Sequence, residues 1–135
     1  MPFQLTIVTP QGSIFDGPVE NVVLPGSEGD FGVLESHERL LAPLRIGNVE
    51  IHEAGEITYA AIADGFAQVD GDQVVVLVES CEVDGDLDVA RAQLAHDRAE
   101  QGLSELGADA DEKRRAEFEA ALERARNRLT VAKRG

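Results

Sequence analysis

The sequence has no tryptophan, and aromatic residues make up only 4% of its 135 residues. Such a chain offers few side chains on which the bases of single-stranded nucleic acid can stack. Basic residues are also scarce, because 12 lysines and arginines face 26 aspartates and glutamates, which gives a formal net charge of −14. A surface of this charge is repelled by phosphate groups, so we expect no nucleic-acid partner and no direct insertion into an anionic membrane.

The chain has one cysteine, Cys81, which cannot form an internal disulfide, so nothing in the sequence indicates an oxidising compartment. No apolar run approaches the ~20 residues that a membrane-spanning helix needs. Residues 1–6 show neither the basic segment nor the long apolar segment of a targeting peptide. We therefore expect a cytoplasmic protein that contacts a membrane only through a partner.

The residues that are abundant are divided unevenly, and the division falls near residue 85. All five prolines and ten of the thirteen glycines lie in residues 1–85, whereas eleven of the seventeen alanines lie in residues 86–135. Because glycine and proline mark turns and alanine favours helices, the sequence predicts a β-domain over 1–85 and a helical domain over 86–135. Nearly all of the excess negative charge belongs to the β-domain.

Short strands separated by turns are predicted for the β-domain. Phe3, Leu5 and Ile7 alternate with polar residues, as in a strand with one buried face. The pair at 70–71, Asp-Gly, separates two apolar segments and predicts a hairpin turn. The second of these segments, 74–78, is continuously apolar, so we expect it to lie deep in the packed sheet. Turn signals recur about every 8–12 residues, which is typical of an all-β sandwich or barrel.

The helical domain is predicted to be an antiparallel hairpin of two helices. Asp86 or Asp88 can cap the first helix, which is expected to run to about Leu106, and Asp111 can cap the second. The second helix has one apolar stripe at helical spacing, formed by Phe118, Ala121, Leu122, Ala125, Leu129 and Ala132. The stripe of the first helix is thinner and consists of Leu87, Ala90, Leu94 and smaller alanines.

No pattern of catalytic or metal-binding residues emerges. The three histidines, His37, His52 and His96, lie on unlike elements, and no pair has the spacing of metal ligands. The glycine-rich segment 26–32 lacks the GK[ST] ending of a phosphate-binding loop and carries two carboxylates, so we interpret it as a turn. Cys81 follows an apolar strand without a cationic neighbour and is interpreted as a packing residue. We expect neither a metal site nor an enzyme.

The last segment departs from the acidic character of the rest. Residues 113–135 contain eight basic and three acidic residues, a net charge of +5. This charge indicates either a solvated helix face or a helix that docks on an acidic partner or holds an anion. Arg124 and Arg128 are one helical turn apart, so both guanidinium groups can face one ligand.

The order of the two domains, together with several local strings, resembles the epsilon-subunit family of the rotary proton-translocating ATP synthases. The matching strings are VENVVLPG at 19–26, GDFGVL at 29–34, LLAPLRIG at 40–47, ADGFAQV at 63–69, LDVARA at 87–92 and RARNRL at 124–129. Each string is moderately specific, whereas their order and spacing together are specific and cover essentially the whole chain.

This resemblance implies a β-sandwich of about ten strands that holds the gamma subunit and lies on the ring of c subunits, with Asp30 and His37 near that ring. The family commonly has Pro-Gly-His-Ala-Pro where residues 35–39 of this chain read Glu-Ser-His-Glu-Arg. The resemblance also implies that the hairpin is regulatory. It either folds beside the sandwich or extends along gamma towards the alpha and beta subunits, where it suppresses ATP hydrolysis. The complex would lie at the cytoplasmic face of a bacterial inner membrane.

Some members of the family bind ATP in the folded hairpin through an [IL]-D-x-x-R-A motif, which residues 87–92 match in full. The resemblance then implies these ATP-binding residues: Glu82, Leu87, Asp88, Arg91, Ala92, Arg124 and Arg128. The alternative interpretation of the same letters is a helix cap at Asp88 and a structural ion pair at Arg91. No cofactor is required, and any bound ATP is expected to be a regulatory ligand that this chain alone does not hydrolyse.

A free-standing nucleotide-binding regulator of another system is the alternative function. It predicts a stable monomer without a large exposed apolar patch, whereas a rotor subunit needs an apolar sandwich face for its neighbours. The rotor interpretation also predicts that the chain without residues 86–135 still folds and assembles.

Overall fold

The structure is a computed structural model that describes residues 2–33, 39–107 and 111–134. In these ranges the chain forms ten strands followed by a short 3-10 turn (Asp84–Asp86) and two helices. The strands are β1 (Phe3–Thr9), β2 (Gly12–Val19), β3 (Asn21–Gly26), β4 (Gly29–Val33), β5 (Leu40–Leu44), β6 (Gly47–Glu53), β7 (Glu56–Ile62), β8 (Gly65–Asp70), β9 (Gln73–Val78) and β10 (Cys81–Val83). The helices are α1 (Val89–Glu105) and α2 (Glu112–Arg134).

The strands form one hydrogen-bonded sheet that folds over into two layers. The strand order is β10-β7-β6-β3-β5-β8-β9-β1-β2, and β4 pairs with the free side of β3. β1 and β9 run parallel, and the other pairs are antiparallel. β3 and β5 meet through one residue pair, Gly26 and Leu44, which forms the corner between the layers. We call β4-β3-β6-β7-β10 the hairpin layer and β5-β8-β9-β1-β2 the open layer.

The core lies between the two layers and is made of alternate strand residues. Leu5, Ile7, Val22, Leu24 and Ile51 are all fully buried there. Burial of side chains of this size contributes about 1.5–3 kcal/mol each. The alternation in β1 therefore confirms the strand that the sequence predicts at residues 3–7.

The turn between β8 and β9 confirms the predicted hairpin, since Gly71 takes a positive φ of 63°. The prediction that segment 74–78 lies deep in the sheet is wrong for two of its five residues, Val75 and Leu77. Val74, Val76 and Val78 are buried, but the side chain of Leu77 is 49% exposed. The reason is that β9 belongs to the open layer, whose outer face nothing in the described chain covers.

Both predicted helix caps are confirmed. The Asp88 carboxylate accepts a hydrogen bond from the Arg91 backbone N–H at 3.0 Å, and Asp111 accepts one from the Lys113 N–H at 3.0 Å. α1 ends at Glu105, one residue before the predicted end.

The two helices pack closely where α1 carries a glycine. A Cβ at Gly102 would lie 2.3 Å from the ring of Phe118, so only glycine leaves room for this aromatic side chain. The residue that weakens the helix in isolation is therefore the one that lets α1 and α2 approach each other.

The apolar stripe predicted for α1 is wrong. Leu94 is 57% exposed and Ala90 is also exposed, whereas Ala92 and Ala99 are buried. The helices meet along the side that carries small residues, because these permit the closest approach. In α2, Leu122 and Ala125 are buried as predicted. Within the described ranges, neither helix is long and apolar enough to cross a membrane.

Candidate functional site: the contact between hairpin and sandwich

The hairpin lies on the outer face of the hairpin layer and contacts it through α2. Asn48, Ala61 and Glu82 are directly opposite one another on β6, β7 and β10, so they share this outer face. Ala60 and Ile62 point to the core instead. We call the row Asn48, Ala61 and Glu82 the platform. Its side chains are small or polar, so α2 rests on a surface with little apolar area.

Two polar contacts attach α2 to the sandwich. The Asn127 side-chain amide donates a hydrogen bond to the Gly47 carbonyl oxygen, with an Nδ2–O distance of 2.7 Å. The Arg128 guanidinium donates through Nε to Glu82 Oε1 at 2.8 Å. The side chains of this ion pair are only 24% and 38% exposed, respectively, so solvent screens it less than a fully exposed pair.

The structure brings three of the sequence-predicted ATP-binding residues together. Arg124 and Arg128 line one closed crevice with residues 61–63, Ser80 and Asn127, which has no room for a water molecule and which we call the arginine pocket, and Glu82 pairs with Arg128. Both arginines therefore face the same space, as their spacing predicts.

The remaining members of that set lie at the start of α1. The contact between Gly102 and Phe118 fixes the helix register and places buried Ala92 level with residue 128. Leu87 is half-buried, whereas Asp88 and Arg91 are exposed. Asp88 caps the helix, and across the described ranges the Arg91 guanidinium has no ion-pair partner. Of the alternative interpretation, the helix cap at Asp88 is thus observed, whereas an ion pair at Arg91 is not observed in the described ranges.

Asp30 lies at the edge of a second cleft between the sandwich and α2. Its carboxylate pairs with the Arg45 guanidinium, and Arg126 and Asn127 of α2 form the opposite wall. The other residue expected near the c-ring, His37, lies outside the described residues.

Sequence reasoning missed two of the residues by which α2 meets the sandwich, Asn127 and Val131. Val131 is completely buried and lies one turn beyond Asn127 on the same side of α2. With Arg124 and Arg128, these residues form a row at i, i+3, i+4 and i+7. A search for helical periodicity that admitted polar residues could have found it; a search for an apolar stripe could not.

The outer face of the open layer has the opposite character. Pro43, Phe66, Leu77 and Val8 are successive cross-strand neighbours on β5, β8, β9 and β1, and they form a continuous apolar row. Phe66 is 53% exposed, and Leu41, which lies on the same strand as Pro43, is 67% exposed. We call this surface the open face. A free-standing regulator predicted no such patch, so the open face counts against that alternative.

Among the residues that the structure describes, two groups have clearly shifted pKa values, and neither belongs to the arginine pocket. Burial, and to a smaller degree the charge of Glu82, raises the pKa of the Cys81 thiol to about 12. Hydrogen bonds from His96 and Gln93 lower the pKa of Asp97 on the exposed side of α1. Throughout the described ranges, no three His, Cys, Asp or Glu residues cluster as metal ligands.

Comparison with known proteins matches both parts of the chain. Residues 2–84 match the family described as "ATP synthase, Delta/Epsilon chain, beta-sandwich domain", and residues 86–133 match its "long alpha-helix domain". The ATP synthase epsilon chain of Halalkalibacterium halodurans is 38% identical over 128 residues, which cover 95% of each chain. The epsilon chain of Bacillus velezensis is 40% identical over 129 residues, 96% of each. These matches confirm the predicted sandwich followed by a helical hairpin.

Solved structures agree with this assignment. A chain of the Euglena gracilis mitochondrial ATP synthase superposes with a TM-score of 0.78 and 25% identity, over 99% of this chain and 82% of that one. A chain in the central stalk and c-ring structure of the Tetrahymena thermophila enzyme has a TM-score of 0.64 and 14% identity, over 96% and 95%. The second likeness is one of fold alone.

Proposed function

This chain belongs to the ATP synthase delta/epsilon chain family, as an epsilon subunit of that complex, and we propose that it links the gamma subunit to the ring of c subunits. The open face carries this proposal. Monomeric proteins rarely expose a continuous apolar surface unless it is an interaction site. An aromatic residue near the centre of such a surface, here Phe66, is the usual anchor of a protein interface.

The contact with the c-ring is proposed for the acidic end of the sandwich. Asp30 is exposed there, and residues 1–84 carry a net charge of −13. This charge attracts basic and polar loops and steers their approach. The chain would thereby lie at the cytoplasmic face of a bacterial inner membrane as a peripheral subunit.

We also propose that the chain is a non-catalytic subunit. Its most strongly shifted group is Cys81, and burial keeps that thiol protonated and unreactive at neutral pH. The arginine pocket supplies positive charge for binding an anion, which is the chemistry of a sensor.

The hairpin is proposed to be a regulatory element that leaves the platform and extends to the alpha and beta subunits, where it suppresses ATP hydrolysis. Its attachment suits reversible docking, because a hydrogen bond and a partly exposed ion pair each contribute only about 1 kcal/mol. Asn48 Oδ1 is buried beneath α2 without a hydrogen-bond partner in the described chain, which makes the docked state less stable still. The +5 charge of residues 113–135 favours an acidic surface as the alternative docking site.

ATP is the proposed regulatory ligand of the docked hairpin. Once the closed crevice between them opens, Arg124 and Arg128 would hold its phosphates with charge-assisted hydrogen bonds, and Arg91, which has no partner in the described chain, would add a third cation from α1. Glu82 already occupies Arg128, so the phosphates would compete with this carboxylate. A nucleotide that contacts both helices and the platform would stabilise the docked state by mass action.

The docking proposal is tested by replacing Phe66 with aspartate and measuring affinity for the isolated gamma subunit. We expect affinity to fall at least 30-fold, since removal of a central interface anchor costs about 2–4 kcal/mol. Leu94→Asp is the matched control, because Leu94 is as exposed but lies on α1, away from the open face. Binding of Phe66→Asp that equals binding of the control would refute the proposal.

The ATP proposal is tested by calorimetric titration of the full chain. We expect saturable binding in the wild type, at least a tenfold loss in Arg91→Ala, and little change in Arg98→Ala, an exposed arginine two turns further along α1. The absence of heat at millimolar ATP would show that LDVARA serves here as a helix cap only.

A further inference from the structure

Arg45 lines the cleft between the sandwich and the hairpin, and its guanidinium contacts both Asp30 and the peptide at 46–47. Its Nη2 pairs with the Asp30 carboxylate, while its Nη1 donates a hydrogen bond to the Ile46 carbonyl oxygen at 3.2 Å. The guanidinium also packs on Gly47, since a Cβ at that residue would lie 3.0 Å from Nη1. The peptide at 46–47 is therefore held in place by a side chain that Asp30 orients.

Gly47 is also the point where the hairpin is attached. Its carbonyl oxygen accepts the hydrogen bond from Asn127. Pro25 packs on Gly47 beside the Arg45 guanidinium, since its Cβ would lie 2.6 Å from a Cβ at Gly47, and the Pro25 carbonyl in turn accepts from the Arg45 N–H at 2.9 Å. A change in the position of Arg45 thus reaches the acceptor of Asn127 through directly contacting atoms.

We propose that Arg45 is a positioning residue that couples Asp30 to the hairpin through the Gly47–Asn127 hydrogen bond. While Asp30 holds the guanidinium, the Gly47 carbonyl stays aligned for Asn127. When a cationic group of a partner takes over Asp30, Arg45 is released and docking of α2 weakens. The coupling is a property of the isolated chain, and its use inside the complex rests on the function proposed above.

The surrounding charges favour this response. Glu50 of β6 lines the same cleft as Arg45, so a guanidinium released from Asp30 finds another carboxylate on the sandwich itself. Arg126 lines the cleft as well and repels any second cation that stays there. An Arg45 guanidinium that has lost its pairing with Asp30 therefore moves away from the 46–47 peptide.

A thiol placed beneath α2 measures hairpin docking in the full chain. Ala61 is 5% exposed and faces Arg124, Asn127 and Arg128, so the thiol of Ala61→Cys reacts with a reagent only when the hairpin lifts. When the hairpin closes faster than the reagent modifies the thiol, the labelling rate is proportional to the fraction of molecules in which the hairpin is lifted. Cys81, buried in the core with a pKa raised to about 12, is the internal reference for opening of the sandwich.

All variants are made in the Ala61→Cys chain. Asn127→Ala is expected to raise the labelling rate about five- to tenfold, the consequence of losing a part-buried hydrogen bond. Asp30→Asn should raise it about two- to fivefold, because the ion pair with Arg45 is half-exposed. Added to Asn127→Ala, Asp30→Asn should have no further effect, since both act through one contact.

The matched control is Asp70→Asn, which removes the exposed ion pair between Asp70 and Arg39 away from the hairpin and should leave the rate unchanged. The proposal is overturned if Asp30→Asn has no effect, acts equally with and without Asn127, or matches the control. If Ala61→Cys itself lifts the hairpin, hydrogen exchange of the α2 amides in the chain with Ala61 decides between the same outcomes.

Discussion

The two outer faces of the sandwich differ although one alternating pattern builds both layers. The platform of the hairpin layer presents Asn48, Ala61 and Glu82 to α2, whereas the open face presents Phe66 and Leu77 to solvent. A helix on the platform buries one large apolar side chain, Val131, and is otherwise held by two polar contacts. A partner on the open face would gain a continuous apolar contact.

This difference supports the proposal that one small subunit combines a permanent contact with a reversible one. Apolar burial contributes about 25 cal/mol per Å², so a partner that covers the open face is held tightly. Each polar contact at the platform contributes about 1 kcal/mol, so a partner or a ligand of modest affinity can displace the hairpin. The open face, which we propose stays bound in the complex, is therefore the surface that is exposed in the isolated chain.

The largest loss of stability is expected from a change that distorts the open layer and leaves the platform intact. A Cβ at Gly65 would lie 2.0 Å from the Leu77 carbonyl oxygen and 2.8 Å from the Val78 Cα, so Gly65→Ala must push β8 and β9 apart. We expect a loss of about 3 kcal/mol in the free energy of unfolding, measured in urea, because backbone atoms cannot yield as a side chain can. Gly85→Ala, where a Cβ meets nothing within 4 Å, is the control. Equal unfolding midpoints for the two variants would contradict this account of the open layer.

A smaller change in the free energy of unfolding is expected from ionisation of Cys81, which lies in the core between the two layers. The pKa of Cys81 is about 12 in the folded chain and about 9 in the unfolded chain. Above pH 9 the unfolded state loses this proton first, so the stability contributed by Cys81 is complete below pH 9 and falls as pH rises towards 12. Unfolding in urea at pH 8 and pH 10 should differ by about 1.4 kcal/mol from this group, one pKa unit.

Replacing the cysteine separates this contribution from other alkaline effects. Cys81→Ala should reduce the pH dependence by that amount, whatever its effect on stability at pH 8. An unchanged slope in the variant would mean that the thiol is open to solvent. The slope should also survive loss of the hairpin, since Cys81 packs in the core and not against α2.

Sequence reasoning predicts the strands and helix caps of this fold better than it predicts the site. Alternation in β1 and the carboxylates of Asp88 and Asp111 act on near neighbours, so the letters themselves carry the signal. The exposure of Leu77 depends on which layer β9 joins, and the contact of Asn127 with Gly47 joins residues 80 positions apart. Neither follows from local spacing. The one-turn spacing of Arg124 and Arg128 predicted that the two arginines share one site, the resemblance added Glu82, and the structure shows that Glu82 pairs with Arg128.

Removing the hairpin is expected to change the stability of the sandwich least. It tests most directly whether the platform and the open face act independently. A chain of residues 1–85 exposes Ala61 and the polar side chains of the platform, so the sandwich loses little apolar burial beyond the surface that Val131 covers. Water can then reach Asn48 Oδ1, which offsets part of the lost contacts. We expect a cooperative urea transition within about 1 kcal/mol of the sandwich transition of the full chain. Affinity for the gamma subunit should be retained, because the open face is intact. A truncated chain that unfolds or aggregates would show that the platform needs its cover, and the two faces would then not be the independent surfaces that their composition indicates.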